Sequence, residues 1–158
     1  MKKKLFHFSL AIIISLLLVG CSSSGAPDCS DSDVKALVID IATGEIKDQL
    51  FFQAIATQLH TAGFKDDQIL TQLKANPTYK HWNQLKDKGQ DVKKLIEIVD
   101  KQMAGISLTG IRTNGKNDQI KKCQCAGELQ FSNGNTLTIE YTAQRTEDSQ
   151  VYVEVSGL

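Results

Sequence analysis

After Gly105 the apolar residues of this chain fall on every second position, and nothing else in the sequence constrains its fold as strongly. Side chains of a strand point alternately to its two faces, so period two with one apolar set marks a half-buried strand. Ile106-Ser-Leu-Thr-Gly-Ile111 alternates first, and Asn114-Gly115 reads as the turn that ends it. Next, Cys123, Cys125, Gly127, Leu129 and Phe131 share one face, with Gln124, Ala126, Glu128 and Gln130 on the other. Asn133-Gly134 is a strong hairpin signal. Leu137, Ile139, Tyr141 and Ala143 then oppose Thr138, Glu140, Thr142 and Gln144, and Val151, Val153 and Val155 oppose Tyr152 and Glu154. Four strands over about 105–157, joined by short turns, make an antiparallel meander with one apolar and one wet face.

That apolar face needs a cover, and the preceding residues carry a helical period. Asp31-Ser32-Asp33 is a helix N-cap cluster ahead of Val34–Ile41, and Thr43-Gly44 is a candidate break. Ile46, Leu50, Ala54 and Leu59 then recur near helical spacing, with Phe51 and Ile55 widening the stripe, until Gly63. A short helix is expected from Asp66-Asp67 to Leu73, before Asn76-Pro77 interrupts. Another runs from about Asp91 to Gln102 with Val92, Leu95, Ile96 and Val99 inward. The expected fold class is α+β, with N-terminal helices (about 31–102) packed on one face of the four-stranded antiparallel meander in a single domain, 29–158.

The first twenty residues have a different character. Lys2, Lys3 and Lys4 precede an apolar run from Leu5 to Val19, too short to span a bilayer and laid out as an export signal. The run ends Leu18-Val19-Gly20-Cys21, which closely resembles the lipobox of bacterial prolipoproteins. This resemblance covers 21 residues and implies removal of residues 1–20, a diacylglyceryl group on the Cys21 thiol and acylation of the new amine. Two or three acyl chains hold a protein firmly where one does not, at about 0.8 kcal/mol per buried CH2. Ser22, rather than Asp, follows the cysteine, which in enteric-type sorting implies the outer membrane. Residues 21–28 form a lipidated cysteine and a short flexible tether, so the domain should sit close to its membrane.

Without the signal's three lysines, 15 basic residues face 18 acidic ones, a net charge of −3. A mildly acidic surface argues against nucleic acid as partner. Of the four cysteines, Cys29, Cys123 and Cys125 remain for the domain, in an oxidising exported setting. Zinc and redox motifs typically space cysteines by two residues, whereas Cys123 and Cys125 are separated by one. The expectation is therefore one structural disulfide and one buried thiol, with no metal and no cofactor. Cys29 pairs with Cys125, which lies nearer the strand centre beside small Ala126 and Gly127; Cys123 is the alternative partner.

Only His60 and His81 survive signal removal, and no nucleophile elbow, phosphate loop, paired zinc-ligand motif or calcium loop is present. Neither histidine has a local orienting carboxylate, so no catalytic residue is assigned. Tyr79 and Trp82, flanking Lys80 and His81, are the candidate partner contact, against the plainer alternative that Trp82 caps the helical core. The polar sheet face (Thr138, Glu140, Thr142, Gln144, Glu154) is either a solvated face or a docking surface. The function expected is a membrane-anchored envelope lipoprotein serving as a non-catalytic binding or assembly factor for a protein partner. The alternatives are an immunity or exclusion lipoprotein that blocks a toxin, phage or conjugation machine, and a periplasmic enzyme.

Overall fold

The computed structural model describes residues 25–158 except 64, 66, 68–70, 72–77 and 85–89. The expected signal, Cys21, Asn76-Pro77 and most of the short helix expected at Asp66–Leu73 lie outside the described residues. Among those described, three helices, α1 (Ser32–Thr61), α2 (Tyr79–Gln84) and α3 (Gln90–Met103), precede four strands. The strands are β1 (Ser107–Asn117), β2 (Lys122–Gln130), β3 (Thr136–Arg145) and β4 (Val151–Ser156). They form one antiparallel sheet in the order β1-β2-β3-β4, so the domain is α+β with a meander. No helix among the described residues is long and apolar enough to cross a membrane.

Thr43-Gly44 does not break the first helix, which runs unbroken for 30 residues. A glycine inside a helix costs about 1 kcal/mol relative to alanine. Burial on both sides of Gly44 outweighs that cost: Val34, Val38 and Ala42 are buried ahead of it and Phe51 after it. The two halves of α1 have different partners. Its first half lies on the sheet with Leu108, Cys123, Cys125, Leu129, Ile139, Tyr141, Ala143 and Val153. Its second half packs with Tyr79 of α2 and Leu95, Ile96, Val99 and Met103 of α3. Ile46, Ile106 and Phe131 border both clusters and join them into one core.

Asn114-Gly115 is not a turn. Strand β1 continues through it to Asn117, with register shifts between Thr109 and Arg112 and between Thr113 and Gly115. Each shift is a bulge, a common device on an edge strand because it spoils the unpaired ladder that another chain would extend. The first bulge contains Gly110 at φ 58, in the left-handed region where glycine has no Cβ penalty. It also moves the apolar set of β1 from Leu108 to Ile111, so strict alternation ends there. The reversal follows instead at Asp118–Lys121. Strand β3 alternates as its sequence requires, and β2 does so except at Ala126, which belongs to the polar set but is buried at 6%; the two pair from Lys122↔Gln144 to Gln130↔Thr136. The hairpin at Asn133-Gly134 closes through Gly134 N–H to the Phe131 carbonyl at 2.9 Å, with Gly134 at φ 85.

Candidate functional site

The chain enters the domain through a strap, residues 25–31, laid against the sheet. Ala26 is buried at 4% exposure and Pro27 is fully buried. The Ala26 N–H donates to Asp118 Oδ1 at 3.0 Å, in the β1–β2 turn. Asp28 Oδ1 accepts from Lys116 Nζ at 2.6 Å, and this carboxylate holds the lysine ammonium above its ordinary value. A Cβ on Gly25 would stand 2.9 Å from Asp118 Oδ1, so the strap already touches the turn at that residue. The expected tether of residues 21–28 is therefore corrected: its second half is docked, and three residues, Ser22–Ser24, separate Cys21 from the docked strap. Burial of the Ala26-Pro27 pair is what overrides its loop-like composition.

The strap ends in a sulfur cluster. Cys29 is joined to Cys125 across 5.8 Å between Cα atoms and 96 residues of chain, leaving Cys123 as a buried free thiol. Tyr141, paired with Cys125 across β2 and β3, donates its hydroxyl to the Cys29 carbonyl at 2.9 Å. Strap, bridge and phenol thus meet at one buried point at the foot of α1. The three sulfurs lie within 4.8 Å of one another, and Cys123 Sγ is 3.5 Å from Cys125 Sγ. Metal coordination by cysteine needs thiolates, and the bridge removes two of the three. Burial pushes the Cys123 thiol above its ordinary value, which keeps it neutral and unreactive. Burial likewise pushes the Tyr141 phenol up to about 12.

Asp31 is the N-cap residue of α1, but its carboxylate does not cap that helix. It accepts the Asp28 N–H at 3.0 Å and so folds the strap, while its carbonyl accepts the Lys35 N–H at 2.9 Å.

Tyr79 and Trp82, expected as a partner contact, are drawn into the helical core. Tyr79 is buried and meets Phe51 edge-on, with ring centroids 5.8 Å apart at 83°. Its hydroxyl donates to Asp100 Oδ1 at 2.7 Å, and Lys47 Nζ reaches the same oxygen at 2.7 Å. The Tyr79 N–H donates to Asp48 Oδ1 at 2.6 Å, so an α1 carboxylate holds the first turn of α2. Burial and the Asp100 carboxylate push the Tyr79 phenol well above its ordinary value. Trp82 is half-buried 6.0 Å from Phe51. The sequence signal was available: Tyr79 and Trp82 stand three residues apart, one helical turn. His60 lies exposed in the last turn of α1, and His81 belongs to α2.

The wet face of the sheet carries Glu140, Thr142 and Glu154, with Thr142 Oγ1 donating to Glu154 Oε2 at 3.3 Å. With Asn114, Gln124 and Ser156 these residues line an open groove of about 420 Å³. Such a surface offers hydrogen-bonding groups to a polar partner. No family model, curated protein or solved structure matches the chain at a significant level.

Proposed function

We propose that this chain is an envelope lipoprotein, held to a membrane by lipid on Cys21, whose domain is a non-catalytic binding or assembly factor for a protein partner. The observation that carries the proposal is the ordered signal Lys2–Lys4, the apolar run Leu5–Val19 and Leu18-Val19-Gly20-Cys21. The Cys29–Cys125 bridge supports an exported, oxidising setting, because such bridges are rare where thiols are kept reduced. Ser22 after the cysteine favours the outer membrane, with the domain close beneath or upon it.

The binding role rests on what the titratable groups do. Among the described residues the displaced ones are Tyr79, Tyr141, Cys123 and Lys116. Burial raises the first three, with the Asp100 carboxylate adding to it at Tyr79, and the hydrogen bond to Asp28 of the strap raises Lys116, so contacts that hold the fold together account for these shifts.

Two measurements test the proposal. Cys21→Ser should abolish palmitate incorporation and release the protein from the membrane fraction; undiminished labelling would overturn the anchor. His60→Ala combined with His81→Ala should restore a deletion strain as well as the unsubstituted protein does. Acid–base chemistry near neutral pH most often uses histidine, and no others remain after signal removal. Loss of function in a folded, lipidated double variant would raise the enzyme alternative above the binding one.

A further inference from the structure

Where the strap enters the fold decides which end of the domain faces the bilayer. Gly25 and Ala26 lie against Asp118 of the β1–β2 turn. Cys21 precedes Gly25 by four residues, so its Cα lies within about 14 Å of the Gly25 Cα, which abuts that turn, whatever path the chain takes. Helix α1 alone, at 30 residues, is about 45 Å long. A leash about one third of that length, attached at one end of the sheet, keeps that end close to the lipid.

The tethered end has the surface chemistry of a membrane contact. Large apolar side chains exposed by more than half, among the described residues, are Ile98, Ile120 and Tyr152. Two of these are at this end. Ile120 is in the β1–β2 turn, and Tyr152 belongs to the cross-strand row Lys122↔Gln144↔Tyr152 near that end. Gln144 Nε2 donates to the Ile120 carbonyl at 3.4 Å and so ties that row to the turn. Lys121 and Lys122 follow Ile120 directly. Ile120, Lys122, Lys116 and Asn117 also border an open hollow of about 310 Å³. Aromatic, aliphatic and lysine side chains together are what the headgroup layer takes, the apolar parts among glycerols and the ammonium groups on phosphates.

Acidic groups share this end and limit the electrostatic part. Asp28 is paired with Lys116, and Asp118 accepts the Ala26 N–H. Asp148, in the β3–β4 turn beside Glu147, accepts the Thr146 hydroxyl. Insertion of Ile120 is therefore the principal contact, with Lys121 and Lys122 second.

We propose that the β1–β2 turn is a membrane-seating element: Ile120 inserts into the headgroup layer of a phospholipid bilayer, Lys121 and Lys122 engage lipid phosphates, and the helical end points away from the lipid. This rests on lipidation of Cys21, and the test separates the two. Full-length precursor processed in cells is purified, checked by intact mass for lipid on Cys21, and placed in vesicles of phosphatidylethanolamine and phosphatidylglycerol containing a brominated phosphatidylcholine. The probes are Ile120→Trp at the turn and Ile98→Trp on α3 in the helical cluster, with Trp82 as the common background. Bromolipid should quench the new tryptophan of Ile120→Trp at least about twofold more than that of Ile98→Trp, since only the first reaches the interface. Adding Lys121→Glu and Lys122→Glu to Ile120→Trp should reduce that quenching. Should Ile120→Trp fold poorly, Tyr152→Trp reads the same end. Equal quenching at both ends of lipidated protein overturns the seat and leaves the anchor standing. A mature protein without lipid on Cys21 overturns both.

Discussion

Cys123 and Cys125 share a face of β2 and are equally buried, yet only Cys125 is bridged. The difference lies in their neighbours across the ladder. Cys125 stands opposite Tyr141, whose hydroxyl holds the Cys29 carbonyl over that point, whereas Cys123 stands opposite Ala143, which has nothing to hold it with. Replacing Cys29 and Cys125 together by Ala frees a loop of 96 residues. The chain-entropy model puts the loss of stability at about 4–5 kcal/mol, readable as a lowered denaturant midpoint. In the unsubstituted protein, Cys123 should resist alkylation until denaturant is added, and non-reducing peptide mapping should recover the Cys29–Cys125 pair. Three freely labelled thiols in folded protein would contradict the arrangement.

Two glycines of opposite meaning test the elements. Gly44 sits inside α1 with no atom within 4 Å of a Cβ built on it. Gly44→Ala should therefore stabilise the domain by about 1 kcal/mol, since only the helical cost of glycine is removed. Gly127 faces the other way. A Cβ there would stand 2.9 Å from Leu108 Cδ1 and 3.4 Å from the Thr109 carbonyl oxygen, beside the first bulge of β1. Gly127→Ala should cost about 1–3 kcal/mol through overpacking, because Leu108 is itself buried and has little room to yield. Thermal unfolding of the two variants should move the midpoint in opposite directions. A common direction would show that α1 is not the continuous helix described, or that Leu108 does not overlie Gly127.

Over the whole molecule, the core's ionisable groups set an alkaline limit. Cys123, Tyr79 and Tyr141 are all held neutral by burial, above their ordinary values of 9.0, 10.0 and 10.0. In the unfolded chain these groups ionise first. Their contribution is thus complete below about pH 9 and is lost as pH rises toward about 12, the folded value for Tyr141. The urea midpoint should fall across that window, and Tyr141→Phe should flatten the fall; a midpoint unchanged from pH 8 to 12 would contradict it. Strand faces and the α3 face were legible from residues alone, because period is a local property of a chain. Small Ala126 and Gly127 favour Cys125 locally, while the fold selects it through Tyr141, more than ten residues along the chain. Four features depended on partners distant in sequence: unbroken helix at Gly44, continuation of β1 through Asn114-Gly115, burial of Tyr79 against Phe51 and Asp100, and docking of Ala26 on Asp118. Local signals favour a break at Gly44, a turn at Asn114-Gly115 and a tether at Ala26, and leave Tyr79 open between a contact and a core position. Each is settled by burial or a hydrogen bond that exists only once sheet and helices have met, and that is why only the tertiary structure decided them.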